Sequence, residues 1–208
     1  MLSLTNDFVD KIKLSNGQKY DLHLGFRDVL SWYEMLEDKE LSDEDKIELS
    51  FEIFVKEIHG ISFDEKAKTV NAVQKMITER PYGNYENNVD KIAAPKRFFS
   101  YTKDAEAIYA SFMYDYNIDL LSCPGMRWEK FQALFSNLSE QSPFIRIVQI
   151  RQRDTSKLEG EELANVLELQ NYYRLDDDVT TANLEGDIQN MFSMLSSNAV
   201  RKEDIHGK

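Results

Sequence analysis

One cysteine, three histidines, four prolines and eight glycines in 208 residues leave little material for several kinds of chemistry. Cys123 has no second cysteine to pair with, which excludes an intramolecular disulfide and a cysteine-only metal site and fits a reducing compartment. Its neighbours in "LLSCPGM" include no base, so a small buried hydrophobe is expected there rather than a nucleophile. His23, His59 and His206 fall in three separate regions with no H-E-x-x-H spacing. Neither a G-x-G-x-x-G nor a G-x-x-x-x-G-K-[ST] string occurs, so no phosphate-cradling loop is expected. The acidic run Asp176, Asp177, Asp178 lacks the alternating oxygens, central glycine and closing glutamate of a calcium loop. No catalytic, cofactor-binding or metal-binding residue is therefore assigned, and a non-enzymatic protein without a cofactor is expected.

Positive charge is also scarce. Lys and Arg number 25 against 37 Asp and Glu, a net charge of −12. A phosphate backbone or an anionic lipid surface would on average repel such a chain. Arg146, Arg151 and Arg153 make only a thin basic patch, so no nucleic-acid partner is expected. Apolar runs fall short of the roughly eighteen residues that a spanning helix needs, so no membrane partner is expected either. The opening "MLSLTNDFVDKIKL" holds Asp7 and Asp10 and reads as no signal peptide.

Apolar side chains at helical spacing are plentiful. With 42% hydrophobic and 30% charged residues the composition is that of a folded globular chain. Its length suits one domain burying roughly 70% of its unfolded surface. The pattern predicts a mainly α, helical bundle-like single domain over residues 1–175, with a β-hairpin at 1–25. "FVDKIKL" and "QKYDLHL" alternate around an Asn16-Gly17 turn. A first helix carries Phe26, Leu30, Tyr33 and Leu36. A second starts at the Ser42 cap, places Ile47, Phe51, Phe54, Val55 and Ile58 on one face, and ends near Gly60. A capping box at Ser62 and Glu65 opens a third, with Phe63, Ala67, Val70, Val73 and Ile77, running towards Arg80.

Residues 80–97, rich in Pro, Gly and Asn, form a hinge-like loop in this reading. Beyond it, Ser100 or Thr102 starts a helix with Ala105, Ile108, Tyr109, Phe112 and Tyr116 on one face. Pro124-Gly125 breaks the chain before a helix with Trp128, Phe131, Leu134, Phe135 and Leu138. Ser142-Pro143 opens a short helix in which Phe144, Ile145, Ile147, Val148 and Ile150 leave little polar face, so a central core position is expected. A further helix follows through Leu163, Val166, Leu167 and Gln170, with Leu169 and Tyr173 adjoining. Residues 176–208 read as a C-terminal amphipathic helix with Leu184, Ile188, Met191, Phe192 and Leu195, then a polar tail. Those five residues are the candidate partner-binding set. The hairpin edge and the 80–97 loop are secondary candidates, the edge through strand addition between subunits of a homo-oligomer.

The block "FSYTKDAEAIYASFMYDYNIDLLSCPGMRWEKFQALFSNLSEQSPFIRIVQIRQRD" resembles the phage "gene product fifteen" family of siphophages. The pattern D-A-x-x-I-x-x-S-F falls on Asp104, Ala105, Ile108, Ser111 and Phe112. Y-x-I-D-L falls on Tyr116, Ile118, Asp119 and Leu120, and W-x-x-F-x-x-L-x-x-x-L on Trp128, Phe131, Leu134 and Leu138. An apolar helix ending in Arg151 follows. The likeness covers roughly residues 18–175. Asn117 stands where the family has glycine, and "GMRWEKF" replaces a His-Trp-Trp type string. The resemblance implies a tail assembly chaperone that binds and solubilises the tape measure protein and helps recruit tail tube subunits. It would act in the host cytoplasm during assembly and be absent from the mature virion. The alternative is a tail-completion or connector component retained in the virion. The matching residues from Asp104 to Arg151 are expected mostly in the core.

Overall fold

The computed structural model describes residues 2–15, 17–56, 60–79 and 98–175. The expected loop at 80–97, the C-terminal segment 176–208, Asn16, Ile58 and His59 lie outside the described residues. Within them the chain is a mainly α single domain with one two-stranded sheet.

Strands β1 (Lys11–Lys13) and β2 (Lys19–Asp21) pair antiparallel with Ile12 opposite Tyr20. Gly17 supplies the positive φ, +81°, that the turn demands and that a Cβ would strain. The hairpin is shorter than its alternating pattern suggests because the second arm finds better partners. After Leu22 donates to the Asp10 carbonyl at 2.8 Å, the His23 N–H donates to the Phe54 carbonyl at 2.8 Å. The Leu24 carbonyl accepts from the Trp128 N–H at 2.8 Å, and the Phe26 N–H donates to the Met126 carbonyl at 2.9 Å. Residues 22–26 thus fasten two helices instead of lengthening a ribbon.

Helix α1 (Phe26–Glu37) buries Phe26, Val29, Trp32, Tyr33 and Leu36. Val29 and Trp32 take the place expected for Leu30, which is half-buried at the edge of the stripe. The Trp32 Nε1–H donates to the Ser50 hydroxyl at 2.9 Å, so this fully enclosed indole keeps its hydrogen bond. Helix α2 (Asp43–Val55) begins with a complete capping box between Ser42 and Asp45. It stops at Val55, not near Gly60: the Phe54 carbonyl is already taken by His23, and Lys56 turns out of the helix at φ +68°.

Helix α3 (Phe63–Thr78) buries Ala67, Thr69, Val70, Val73, Gln74 and Ile77. Ser62 caps it, but the Glu65 carboxylate accepts from the Ser15 N–H at 2.6 Å, tying the hairpin turn to the helix start. At the other end the Ile77 carbonyl accepts from Trp128 Nε1 at 3.0 Å. Helices α4 (Ala105–Tyr116) and α5 (Trp128–Phe135) are linked through a single 3-10 turn at Leu120–Ser122. Asn117 ends α4 at φ +52°. A left-handed position is where glycine is ordinarily favoured and asparagine is the next residue tolerated, which accounts for the Asn in the matching pattern.

Phe131 is the hub of the core. Its ring stacks on Phe112 at 5.1 Å, Phe26 at 5.2 Å, Trp128 at 5.5 Å and Phe135 at 5.8 Å. One aromatic on α5 therefore joins α1, α4 and its own helix. The last two described helices, α6 (Pro143–Gln152) and α7 (Gly160–Tyr172), stand outside this hub. Helix α6 was expected at the centre, yet it buries Phe144 alone; Ile145, Ile147, Val148 and Ile150 are half-buried. It lies between α4 and α7, and α7 contributes one buried side chain, Val166.

Candidate functional site

Two ties between Asp104 and Arg151 set the frame. Asp104 precedes α4, where its carboxylate accepts from the Ser100 N–H at 2.9 Å. Arg151, in the last turn of α6, meets it with a bidentate fork, both contacts at 2.7 Å. Their side chains are 4% and 8% exposed. The same guanidinium donates to the Phe98 carbonyl at 2.9 Å and to the Tyr173 carbonyl at 2.6 Å. Planar fork geometry lets one side chain hold three segments at once, which a lysine could not do. Ser111 adds a second tie from α4 to α6, accepting from the Phe144 N–H at 2.9 Å.

The expected basic patch is consumed by this arrangement. Arg151 is inside the ion pair, Arg153 pairs with Glu162, and Arg146 is left exposed on α6. Cys123 is half-buried beside the 3-10 turn, not the enclosed hydrophobe expected. Among the described residues no group of three His, Cys, Asp or Glu is placed to hold a metal ion, and no helix is long and apolar enough to cross a membrane.

The residues of the 104–151 pattern are distributed as follows. Asp104, Ile108, Phe112, Leu120, Trp128, Phe131 and Leu138 are buried, while Ile118, Asp119, Leu134 and Arg151 are half-buried as whole residues. Asp119 caps the 3-10 turn, accepting from the Leu121 N–H at 2.9 Å and the Ser122 hydroxyl at 2.5 Å. Its carboxyl is held below the usual range, chiefly by Ser122; burial opposes this, while the Leu121 N–H and Tyr109 add to it. Tyr109 is raised by burial and by the negative Asp119 beside it. Leu120 lends its carbonyl to Arg27 at 3.2 Å. Asp104, Ser111, Phe112, Leu120, Trp128, Phe131 and Arg151 thus join elements of the body. The candidate partner residues Leu184, Ile188, Met191, Phe192 and Leu195 lie outside the described residues.

Among the described residues, large apolar side chains are exposed near the N-terminus (Leu2, Leu4, Val9), at Leu49, around the end of α4 (Met113, Tyr114, Leu121) and on α7. Gln170 Nε2 donates to the Ile150 and Arg153 carbonyls, both at 2.9 Å, and seats α7 over the end of α6 by polar contacts. Leu167, Leu169 and Tyr172 are then 48%, 43% and 79% exposed. Leu169 and Tyr172 lie in a shallow open depression with Asn165, Glu168, Asn171 and Tyr173. The sequence pattern placed Leu167 in the inward stripe. A signal for the outer stripe was present in Asn165, Leu169 and Tyr172, spaced by four and three residues. The hairpin edge is a poorer surface, since each strand is three residues long and Lys11, Lys13 and Lys19 are exposed.

A family model described as "Bacteriophage Gp15 protein" matches residues 5–175. The chain belongs to that family. Membership makes it a phage protein of structural or assembly type. The match ends where the described residues end, so α7 and its open face lie inside the family region while residues 176–208 lie beyond it. Neither a curated protein nor a solved structure matches the chain.

Proposed function

We propose that this Gp15-family protein is a tail assembly chaperone that binds and solubilises the phage tape measure protein and helps recruit tail tube subunits, without catalysis. Family membership over residues 5–175 is the observation that carries this reading. Two physical features support it. A net charge of −12 keeps a chaperone bound to an apolar client in solution. Apolar side chains are exposed on α7, and the sequence carries a further apolar pattern at Leu184, Ile188, Met191, Phe192 and Leu195; both suit an amphipathic client helix. Arriving tube subunits would compete the client away by mass action. The reading includes self-association into a homo-oligomer and residence in the host cytoplasm during assembly.

The test is co-expression with the tape measure protein of the same phage, using the full chain and a chain ending at residue 182. Soluble, co-purifying tape measure protein with the full chain is the expected result. Insoluble tape measure protein and no complex with either chain would sink the proposal. The chain in purified virions would point instead to a tail-completion or connector component.

A further inference from the structure

We infer that the outer face of α7, centred on Leu169 and Tyr172, is the seat of residues 183–196 of the same chain, docked back antiparallel in cis. On the receiving side, α7 has thirteen residues, one buried side chain, and an apolar stripe at 43% and 79% exposure. Polar ties already fix the helix in place through Gln170 and Arg151, so the stripe is not needed to attach α7 to α6. On the donor side, Leu184, Ile188, Met191, Phe192 and Leu195 recur in the sequence at the spacing of one helical face.

Chain length selects the occupant. Seven residues, 176–182, separate the described end at Leu175 from Asn183. They can span about 25 Å when extended, more than the roughly 20 Å length of a thirteen-residue helix. A connection this short favours antiparallel helical neighbours and gives the segment an effective concentration on the order of millimolar at the seat. A second copy would have to compete at its own, far lower concentration. Antiparallel alignment puts Leu184 beside Tyr172, Ile188 beside Leu169 and Met191 beside Asn165. The cis seat does not depend on the tape measure reading, and the chain alone tests it.

The test uses the full chain with Cys123→Ser, Asn165→Cys and Met191→Cys, oxidised at low micromolar concentration and read by non-reducing electrophoresis and peptide mapping. An intramolecular 165–191 disulfide in most monomers is expected. Disulfides that form only between chains would assign the seat to a second copy and overturn the cis proposal; so would free thiols throughout. A second measurement avoids reliance on the cysteine pair. In the otherwise unchanged chain, Leu169→Asp with Tyr172→Asp should speed chymotryptic cleavage at Phe192 by about tenfold, because cleavage follows the undocked population. Circular dichroism checks that the variant remains folded. An unchanged cleavage rate in the folded variant would overturn the seat.

Discussion

Helices α5 and α7 both carry apolar residues at helical spacing, yet they are held by different forces. The eight residues of α5 bury Trp128, Glu129, Phe131 and Phe135; the thirteen of α7 bury Val166. Helix α5 is placed against α1 and α4, where rings meet rings, and α7 is laid over the end of α6 by Gln170, Arg151 and an Arg153–Glu162 pair. The difference shows that a helical stripe reports a capacity for burial, and neighbours decide whether that capacity is used. It also separates two regions of this family member: a closed aromatic body, and an edge whose apolar side chains that body does not cover.

Breaking the body should cost most. Phe131→Ala removes the ring common to four stacks and should destabilise by about 3–5 kcal/mol in urea unfolding. A loss under 1 kcal/mol would mean that Phe131 is not the hub. Asp104→Leu alone should cost about 3 kcal/mol, because the Arg151 charge is left buried without its partner. Adding Arg151→Met should recover much of that loss, and a double variant no more stable than the single would show that the Phe98 and Tyr173 contacts of Arg151 dominate instead.

On the open side, Val166→Ala should cost about 1–2 kcal/mol, matching the lost methyl groups of a single buried residue. Amide exchange sharpens the contrast: α7 should exchange about tenfold faster than α5 through local opening, and equal protection would place α7 in the same cooperative unit as the core. The smallest effect is expected at the 3-10 turn. Since the Asp119 carboxyl is lowered in the folded chain, its stabilisation is fully present above the ordinary carboxylate range and fades as pH falls through the lowered value. Asp119→Asn should therefore lower Tm near neutral pH and converge with the parent in strong acid; a constant gap across that range would remove the ionic explanation.

Much of this body was legible in the sequence. The Ser42, Ser62 and Ser142 caps opened helices where a short hydroxyl side chain preceded an apolar-periodic run. Asn117, read in the sequence only as a departure from a family glycine, is left-handed in the structure. Other features were not legible, each because a distant partner intervened. Helix α2 ends early on account of His23, Glu65 leaves its own cap for Ser15, and the hairpin is cut short by Trp128 and Met126. Charge counting put Arg151 in a thin basic patch and the family likeness put it with the core residues, but nothing local reveals that it meets an aspartate 47 positions earlier.

By itself the sequence determined the helical class, the order of the elements, the caps and the absence of any ready-made catalytic or phosphate-binding motif, because these depend on residues within one or two turns of each other. Tertiary structure alone decided that Phe131 is central, that Arg151 is a buried clamp, that α6 lies at the margin and that Leu169 and Tyr172 face outward. Burial and ion pairing are properties of what surrounds a side chain, and spacing along a helix fixes its direction without fixing what stands opposite.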